Sequence, residues 1–167
     1  MTEPVRSLAA HPVTARLGSL ALGLAALSLA GLVFTQLWQV IGRYLFNVTP
    51  GWTETISILL MNAAMMFGAA GGVQAGAHFG FTLGIDQLPP SASRVMHLLG
   101  QLLVGVLGLA ISLYGLRLMA GTWAVKVAGA PLPQGLVYAP LFLGGLLIAV
   151  FAFERAGSTL RRREANR

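Results

Sequence analysis

Four long apolar runs alternate with short polar connections along this chain. The six formal charges between positions 17 and 153 fall mainly between the runs rather than along one face of each: Arg43, Glu54, Asp86, Arg94, Arg117 and Lys126. A soluble helix bundle needs a polar face on every surface helix, and these runs do not supply one. A helix needs roughly 20 apolar residues to cross about 30 Å of hydrocarbon. The pattern therefore predicts an all-α integral membrane protein with four transmembrane helices, at about residues 17–42, 55–77, 95–124 and 136–153.

The ends and connections of the chain complete the predicted organisation. The first run is much longer than the roughly 7–15-residue apolar core of a signal peptide, so we interpret it as a retained span. Residues 78–94 are too apolar for a free loop and too short to cross, which predicts a short interfacial segment between helices 2 and 3. The transmembrane domain thus occupies residues 17–153, between an N-terminal segment, 1–16, and a basic tail, 154–167.

The basic residues predict the orientation. Four spans place both chain ends on one side of the membrane, and eight Lys and Arg residues belong to that side. The other side has three, Arg43, Arg117 and Lys126. The positive-inside rule therefore predicts that both termini are cytoplasmic. Topology also accounts for the net charge of +6, so membrane lipids are expected partners and nucleic acid is not.

Residues that carry chemistry in enzymes are sparse in this sequence. The chain contains no cysteine, and it has no nucleophile beside a base, no phosphate-binding loop and no cluster of metal ligands. No span has an acidic residue near its middle, where a proton- or cation-coupled transporter normally holds one. We therefore predict no enzymatic activity, no cofactor, no metal and no substrate site within this chain.

The first external connection carries the most distinctive polar residues. Arg43 and Glu54 lie at its two ends, and a hairpin allows their side chains to meet; the alternative is two separate interfacial charges. Tyr44 and Trp52 are typical of aromatic residues at the membrane–water interface. We hypothesise that Arg43 and Glu54 pair and thereby pin the outer ends of the first two helices together.

Small residues recur at helical spacing in two spans. The second span has Ala64, Gly68, Gly72 and Gly76 at steps of four, and the third has Gly108, Ser112 and Gly115. Because lipid is as apolar as leucine, membrane helices associate through close packing of such residues. Each stripe has two interpretations, packing within this chain's own bundle or a seat for a helix of a partner.

Three motifs resemble those of one transporter family. They are Arg43-Tyr44-Leu45-Phe46-Asn47 followed by Pro50, Trp52, Thr53 and Glu54; Gly76-Ala77-His78-Phe79; and Pro133, Tyr138 and Pro140. With the length and the four spans, they resemble the small permease of tripartite ATP-independent periplasmic (TRAP) transporters, the DctQ type, over roughly residues 17–153. The chain departs from the family at Thr55, where a second glutamate is common, and around Gln74, where a basic residue is common before the histidine.

The resemblance implies an accessory subunit of the bacterial inner membrane. In that family a large permease (DctM-type) carries the substrate and sodium sites, and a periplasmic binding protein (DctP-type) delivers the substrate, typically an organic acid. The small permease packs beside the large one and helps to dock the binding protein. The residues expected at structural contacts or interfaces are Arg43, Tyr44, Asn47, Trp52, Glu54, Gly68, Gly72, Gly76, His78, Pro133, Tyr138 and Pro140.

Two alternative functions belong to other classes. An independent four-helix exporter of small molecules needs a membrane-embedded glutamate, and Glu54 lies at the end of a span beside Trp52. A haem-binding electron carrier needs two axial ligands, for which His78 and His97 are the candidates.

Overall fold

The computed structural model describes residues 12–48, 50–76, 90–127 and 129–165. It contains four long α-helices, which we number α1 (Pro12–Leu45), α2 (Gly51–Ala75), α3 (Pro90–Gly121) and α4 (Gly135–Ala165). Each contains a segment long and apolar enough to cross a membrane: Thr14–Leu45, Gly51–Ala75, Val95–Gly121 and Gly135–Ser158. The predicted four-helix membrane fold is therefore confirmed. Residues 77–89, with most of the predicted interfacial segment and His78, lie outside the described residues.

The helices do not begin and end where hydropathy alone placed the spans. Helix α4 continues through most of the predicted tail to Ala165, because arginine, glutamate and alanine are good helix formers outside the lipid. Helix α3 ends at Gly121 rather than at Ala124. The next residue, Thr122, donates from both its N–H and its hydroxyl to the carbonyl of Leu118, at 3.0 and 2.6 Å.

The helices pack in the order α1, α2, α4, α3. Helix α1 packs along α2, α2 packs also against α4, and α4 packs against α3. The core lies around α2 and α4, and three of its six side chains are alanines: Ala21, Ala70, Val73, Ile148, Phe151 and Ala152. Helices α1 and α3 are therefore the edges of the bundle, and each exposes many large apolar side chains to lipid or to a partner.

The small-residue stripe of the third span packs against α4. A Cβ atom built on Gly108 would lie 2.8 Å from Cγ2 of Ile148, and one on Gly115 would lie 2.7 Å from the Phe142 nitrogen. The Ser112 hydroxyl donates to the Phe142 carbonyl at 3.1 Å. The third-span stripe therefore packs within the chain's own bundle, which is the first of its two interpretations.

The second-span stripe has mixed roles. Gly68 makes an ordinary contact with α1, since a Cβ there would lie 3.8 Å from the Cβ of Ala25. Gly72 is half-buried. The closest approach is at Gly71, outside the predicted stripe, where a Cβ would lie 2.5 Å from the Leu22 side chain. Gly76 ends the helix with φ of 80°, a conformation that glycine adopts without steric cost.

Candidate functional site

The connection between α1 and α2 is a tight turn built from the first sequence motif. The Gly42 carbonyl accepts hydrogen bonds from the N–H groups of Phe46 and Val48, at 3.2 and 3.0 Å. Asn47 has a positive φ of 51°, which asparagine tolerates better than most residues. The buried Thr53 hydroxyl donates to the Pro50 carbonyl at 2.7 Å, within the first turn of α2. These motif residues therefore shape the end of the bundle where α1 ends and α2 begins, which we call the outer end.

Arg43 and Glu54 do not form the hypothesised pair. Both side chains are exposed, and no ion pair or hydrogen bond joins them, although the structure describes both. Arg43 lies in the last turn of α1 and Glu54 in the first turn of α2. A cation at a helix C-terminus and an anion at an N-terminus are each stabilised by their own helix. The alternative of two separate interfacial charges is therefore the arrangement found.

The aromatic residues of the same motif lie on the surface. Tyr44 is 79% exposed and Trp52 is 40% exposed, at the adjoining ends of α1 and α2. An amphipathic ring at this position suits the membrane–water boundary. These two residues are thus available to lipid headgroups or to a partner protein.

A groove opens on the side of the bundle between the outer halves of α1 and α2. We call it the lateral groove; its volume is about 400 Å³ and it is lined by Leu32, Gln36, Gln39, Glu54, Ser57, Ile58 and Met61. Four of these seven residues are polar, which is unusual on the side of a membrane span. Ser57 is only 6% exposed, and its hydroxyl has no hydrogen-bond partner.

A second cavity lies at the outer end of α2 and α4. We call it the outer recess; its volume is about 480 Å³ and it is lined by Thr55, Ile58, Asn62, Lys126, Val127, Gln134, Val137 and Tyr138. The Asn62 amide donates to the Val137 carbonyl at 3.4 Å and so links α2 to α4. Lys126 is exposed at the rim. With a cation, two amides and two hydroxyls among its lining residues, the recess suits an anionic group.

The segment before α4 forms the rim of the outer recess. The Val127 N–H donates to the Leu132 carbonyl at 3.0 Å and the Gln134 N–H donates to the Val125 carbonyl at 2.8 Å, so residues 125–127 and 129–134 form a small hairpin. We call it the outer hairpin. Its Gly129 packs against the start of α2, since a Cβ there would lie 2.7 Å from the carbonyl carbon of Gly51.

The third sequence motif lies along this rim. Pro133 pairs with Lys126 in a β-bridge of the outer hairpin, and Tyr138 lines the outer recess. Pro140 is buried within α4, where its missing N–H leaves one helical hydrogen bond unmade. The motif therefore shapes the outer end of α4, and its predicted role at an interface stays a prediction.

At the opposite end of the bundle, sequence reasoning missed a polar cluster. The Arg155 guanidinium donates to the Gln74 carbonyl at 2.6 Å and lies against Gly76, at the C-terminus of α2. The Thr14 hydroxyl donates to the Glu154 carboxylate at 3.0 Å and links α1 to α4. We call these five residues the inner cluster. Arg155 of α4 thus places a positive charge beside the backbone of Gln74.

The two histidines of the haem alternative are only partly described by the structure. His97 is half-buried in α3, and His78 lies outside the described residues, so the haem pairing stays a prediction. Within the part of the chain that the structure describes, no group of three or more His, Cys, Asp or Glu side chains is arranged to hold a metal ion.

The comparisons with known proteins identify one family. A family model described as "Tripartite ATP-independent periplasmic transporters, DctQ component" matches residues 29–162, which is most of the chain. The comparison with curated proteins returned no match.

Proposed function

The chain belongs to the DctQ family of tripartite ATP-independent periplasmic transporters, and from that premise we propose that it supports the large permease and helps to dock the periplasmic binding protein. A DctQ chain is the small membrane subunit of such a transporter. The observation that carries the proposal is the position of its charges. Within the described part of the chain they lie near the ends of the spans, as Glu54, Arg117 and Arg155 do, so none is placed to bind a solute midway across the membrane.

The transport chemistry then belongs to the partners. We propose that the large permease, of the DctM type, binds the substrate and sodium, and that the DctP-type protein delivers an organic acid. The packing order supports a role as a buttress for the large permease. Helices α1 and α3 are at the two edges of the bundle, and their lateral faces are exposed and can contact a second membrane protein. A surface of large apolar side chains has no driving force to leave lipid, so specificity must come from close packing and polar contacts.

The outer hairpin and the outer recess are the proposed docking features for the binding protein. They present Lys126, Gln134 and Tyr138 at the end of the bundle that we assign to the periplasm. A carboxylate on the docked protein would find a cation and hydrogen-bond donors there. Rim charges of this kind set association rate and specificity more than final affinity.

Reconstitution tests the proposed function. We expect no uptake by proteoliposomes that contain this chain alone, and sodium-dependent uptake when the large permease and the binding protein are added. Transport by the chain alone would instead support the exporter alternative. The absorbance spectrum of the same purified chain tests the haem alternative, which predicts a Soret band.

The same assay tests docking through a charge variant. We expect Lys126→Glu to raise the concentration of binding protein needed for half-maximal uptake by about tenfold, because like charges at a docking rim repel. Lys126→Arg keeps the charge and serves as the matched control. Equal behaviour of the two variants would remove the outer recess from the docking model.

We also propose an orientation with both termini in the cytoplasm of a bacterial inner membrane. The chain has no cysteine, so single cysteines can be introduced without background. We expect a membrane-impermeant maleimide added from the periplasmic side to label Lys126→Cys in the outer hairpin and to leave Ser158→Cys in α4 unlabelled. Both side chains are exposed in the structure. The reverse labelling pattern would invert the proposed topology.

A further inference from the structure

We propose that the lateral groove seats a transmembrane helix of the large permease, and that this helix presents a lysine or arginine side chain to Glu54. The inference rests on the proposed function and specifies which face of the small subunit meets its partner. It starts from the polar residues that line the groove, Gln36 and Gln39 on α1 and Glu54 and Ser57 on α2.

The four polar residues lie at matching depths. Helices α1 and α2 are antiparallel, with Gly31 against Leu60 and Gly42 against Pro50. Between those contacts Gln39 falls near the level of Glu54. In the same way Gln36 falls near the level of Ser57, about one turn deeper in the membrane. The groove therefore has polar residues at two successive levels, Gln39 with Glu54 and Gln36 with Ser57, and we call these four residues the polar ladder.

None of the four side chains is satisfied within the described part of the chain. The buried Ser57 hydroxyl has no hydrogen-bond partner, and Gln36, Gln39 and Glu54 make no hydrogen bond to a described residue. Two hydroxyls of α1 are satisfied by their own helix: Ser28 donates to the Leu24 carbonyl at 2.7 Å, and Thr35 donates to the Gly31 carbonyl at 2.8 Å. In hydrocarbon an unpaired polar group is costly, so this groove needs an occupant that forms hydrogen bonds.

The depth of the ladder favours a protein helix over a lipid. A lipid headgroup at the interface can reach Glu54, near the start of α2, but its acyl chains form no hydrogen bonds with Gln36 and Ser57 one turn deeper. A transmembrane helix presents polar side chains at successive turns and can satisfy both levels. Interhelical bonds of Ser, Gln and similar residues are a normal means of association in membranes.

Charge complementarity identifies the side chain opposite Glu54. An ionised carboxylate only accepts hydrogen bonds, and Arg43, the nearest basic residue in the sequence, does not pair with it. A carboxylate at the edge of the hydrocarbon is stabilised by a cation in contact. The partner helix therefore carries Lys or Arg at this level, with hydrogen-bonding side chains one turn deeper.

Co-purification of the two membrane subunits tests the charge. We expect Glu54→Lys to lower recovery of the tagged complex by at least about tenfold through like-charge repulsion, and Glu54→Gln to lower it less. Arg117→Glu is the matched control, because it reverses an exposed charge at the same membrane side on the other edge helix, α3. We expect recovery with Arg117→Glu to stay within about twofold of wild type. Thermal unfolding of each isolated variant shows whether the fold is kept.

Photo-cross-linking then identifies the occupant. With a photoreactive amino acid at Met61 in the groove, we expect a cross-link to the large permease, and with one at Leu103 on the exposed face of α3 we expect none. Cross-links from Met61 to phospholipid alone, or wild-type recovery of Glu54→Lys, would overturn the groove inference. Failure of the wild-type chain to co-purify with the large permease would instead overturn the proposed function.

Discussion

Replacing Gly145 by alanine should destabilise the bundle by about 1–3 kcal/mol, the range for overpacking a close interface. A Cβ atom on Gly145 would lie 2.8 Å from the Ser112 nitrogen and 2.9 Å from the Gly108 carbonyl oxygen. Both are backbone atoms of α3, so no side chain can rotate away and the two helices must separate. The expected readout is a lower unfolding midpoint of the purified chain in detergent.

Gly23→Ala provides the control for this variant. Gly23 is also within a span, but a Cβ there would have no atom within 4 Å. The substitution should leave the midpoint unchanged or raise it slightly, because alanine is the better helix former. Equal midpoints for Gly145→Ala and Gly23→Ala would show that the α3–α4 contact is looser than the structure has it.

The sequence was sufficient to predict four membrane helices, because hydropathy over 20 residues is a strong signal. It did not predict which helices are neighbours. Each span is apolar on every face, so no polar face marks the side of the helix that is turned away from the core. The stripe at Gly108 predicted a close approach but not its partner, which the structure identifies as α4.

The position of the closest contact on α2 was not predicted, for a related reason. Residues 68–72 read Gly-Ala-Ala-Gly-Gly, so several spacings of four are equally good. Only the packed structure selects Gly71 as the point of closest contact with α1. Spacing of small residues therefore predicts that a face exists, while its position depends on the shape of the facing side chains, here Leu22.

The polar contacts were predicted less well than the helices. The sequence places Arg43 and Glu54 at the ends of one turn, but it does not show that each charge is stabilised at its own helix end. The inner cluster was missed because the positive-inside rule already accounts for an arginine after the last apolar run. Arg155 was therefore explained as a topology signal alone. Its contact with the Gln74 carbonyl depends on how α4 packs against α2, which the sequence does not show.

Removing the Arg155 guanidinium should cost about 1.5–3 kcal/mol, the range for hydrogen bonds to charged groups. Its bond to the Gln74 carbonyl joins α4 to the C-terminus of α2, where a cation is also favoured by the helix dipole. We expect Arg155→Met to lower the unfolding midpoint in detergent, and Arg155→Lys to restore part of the loss, since an ammonium keeps the charge without the planar fork.

Arg16→Met separates this contact from the general effect of losing a basic residue. Arg16 is exposed and lies at the same end of the bundle, so its replacement removes an equal topology charge without breaking the link between α2 and α4. We expect a change below about 0.5 kcal/mol for Arg16→Met, as for most surface substitutions. Cysteine labelling of the outer hairpin in both variants checks that neither inverts in the membrane. If the two variants unfold at the same midpoint, Arg155 acts only as a topology charge, and the inner cluster does not hold α2 and α4 together.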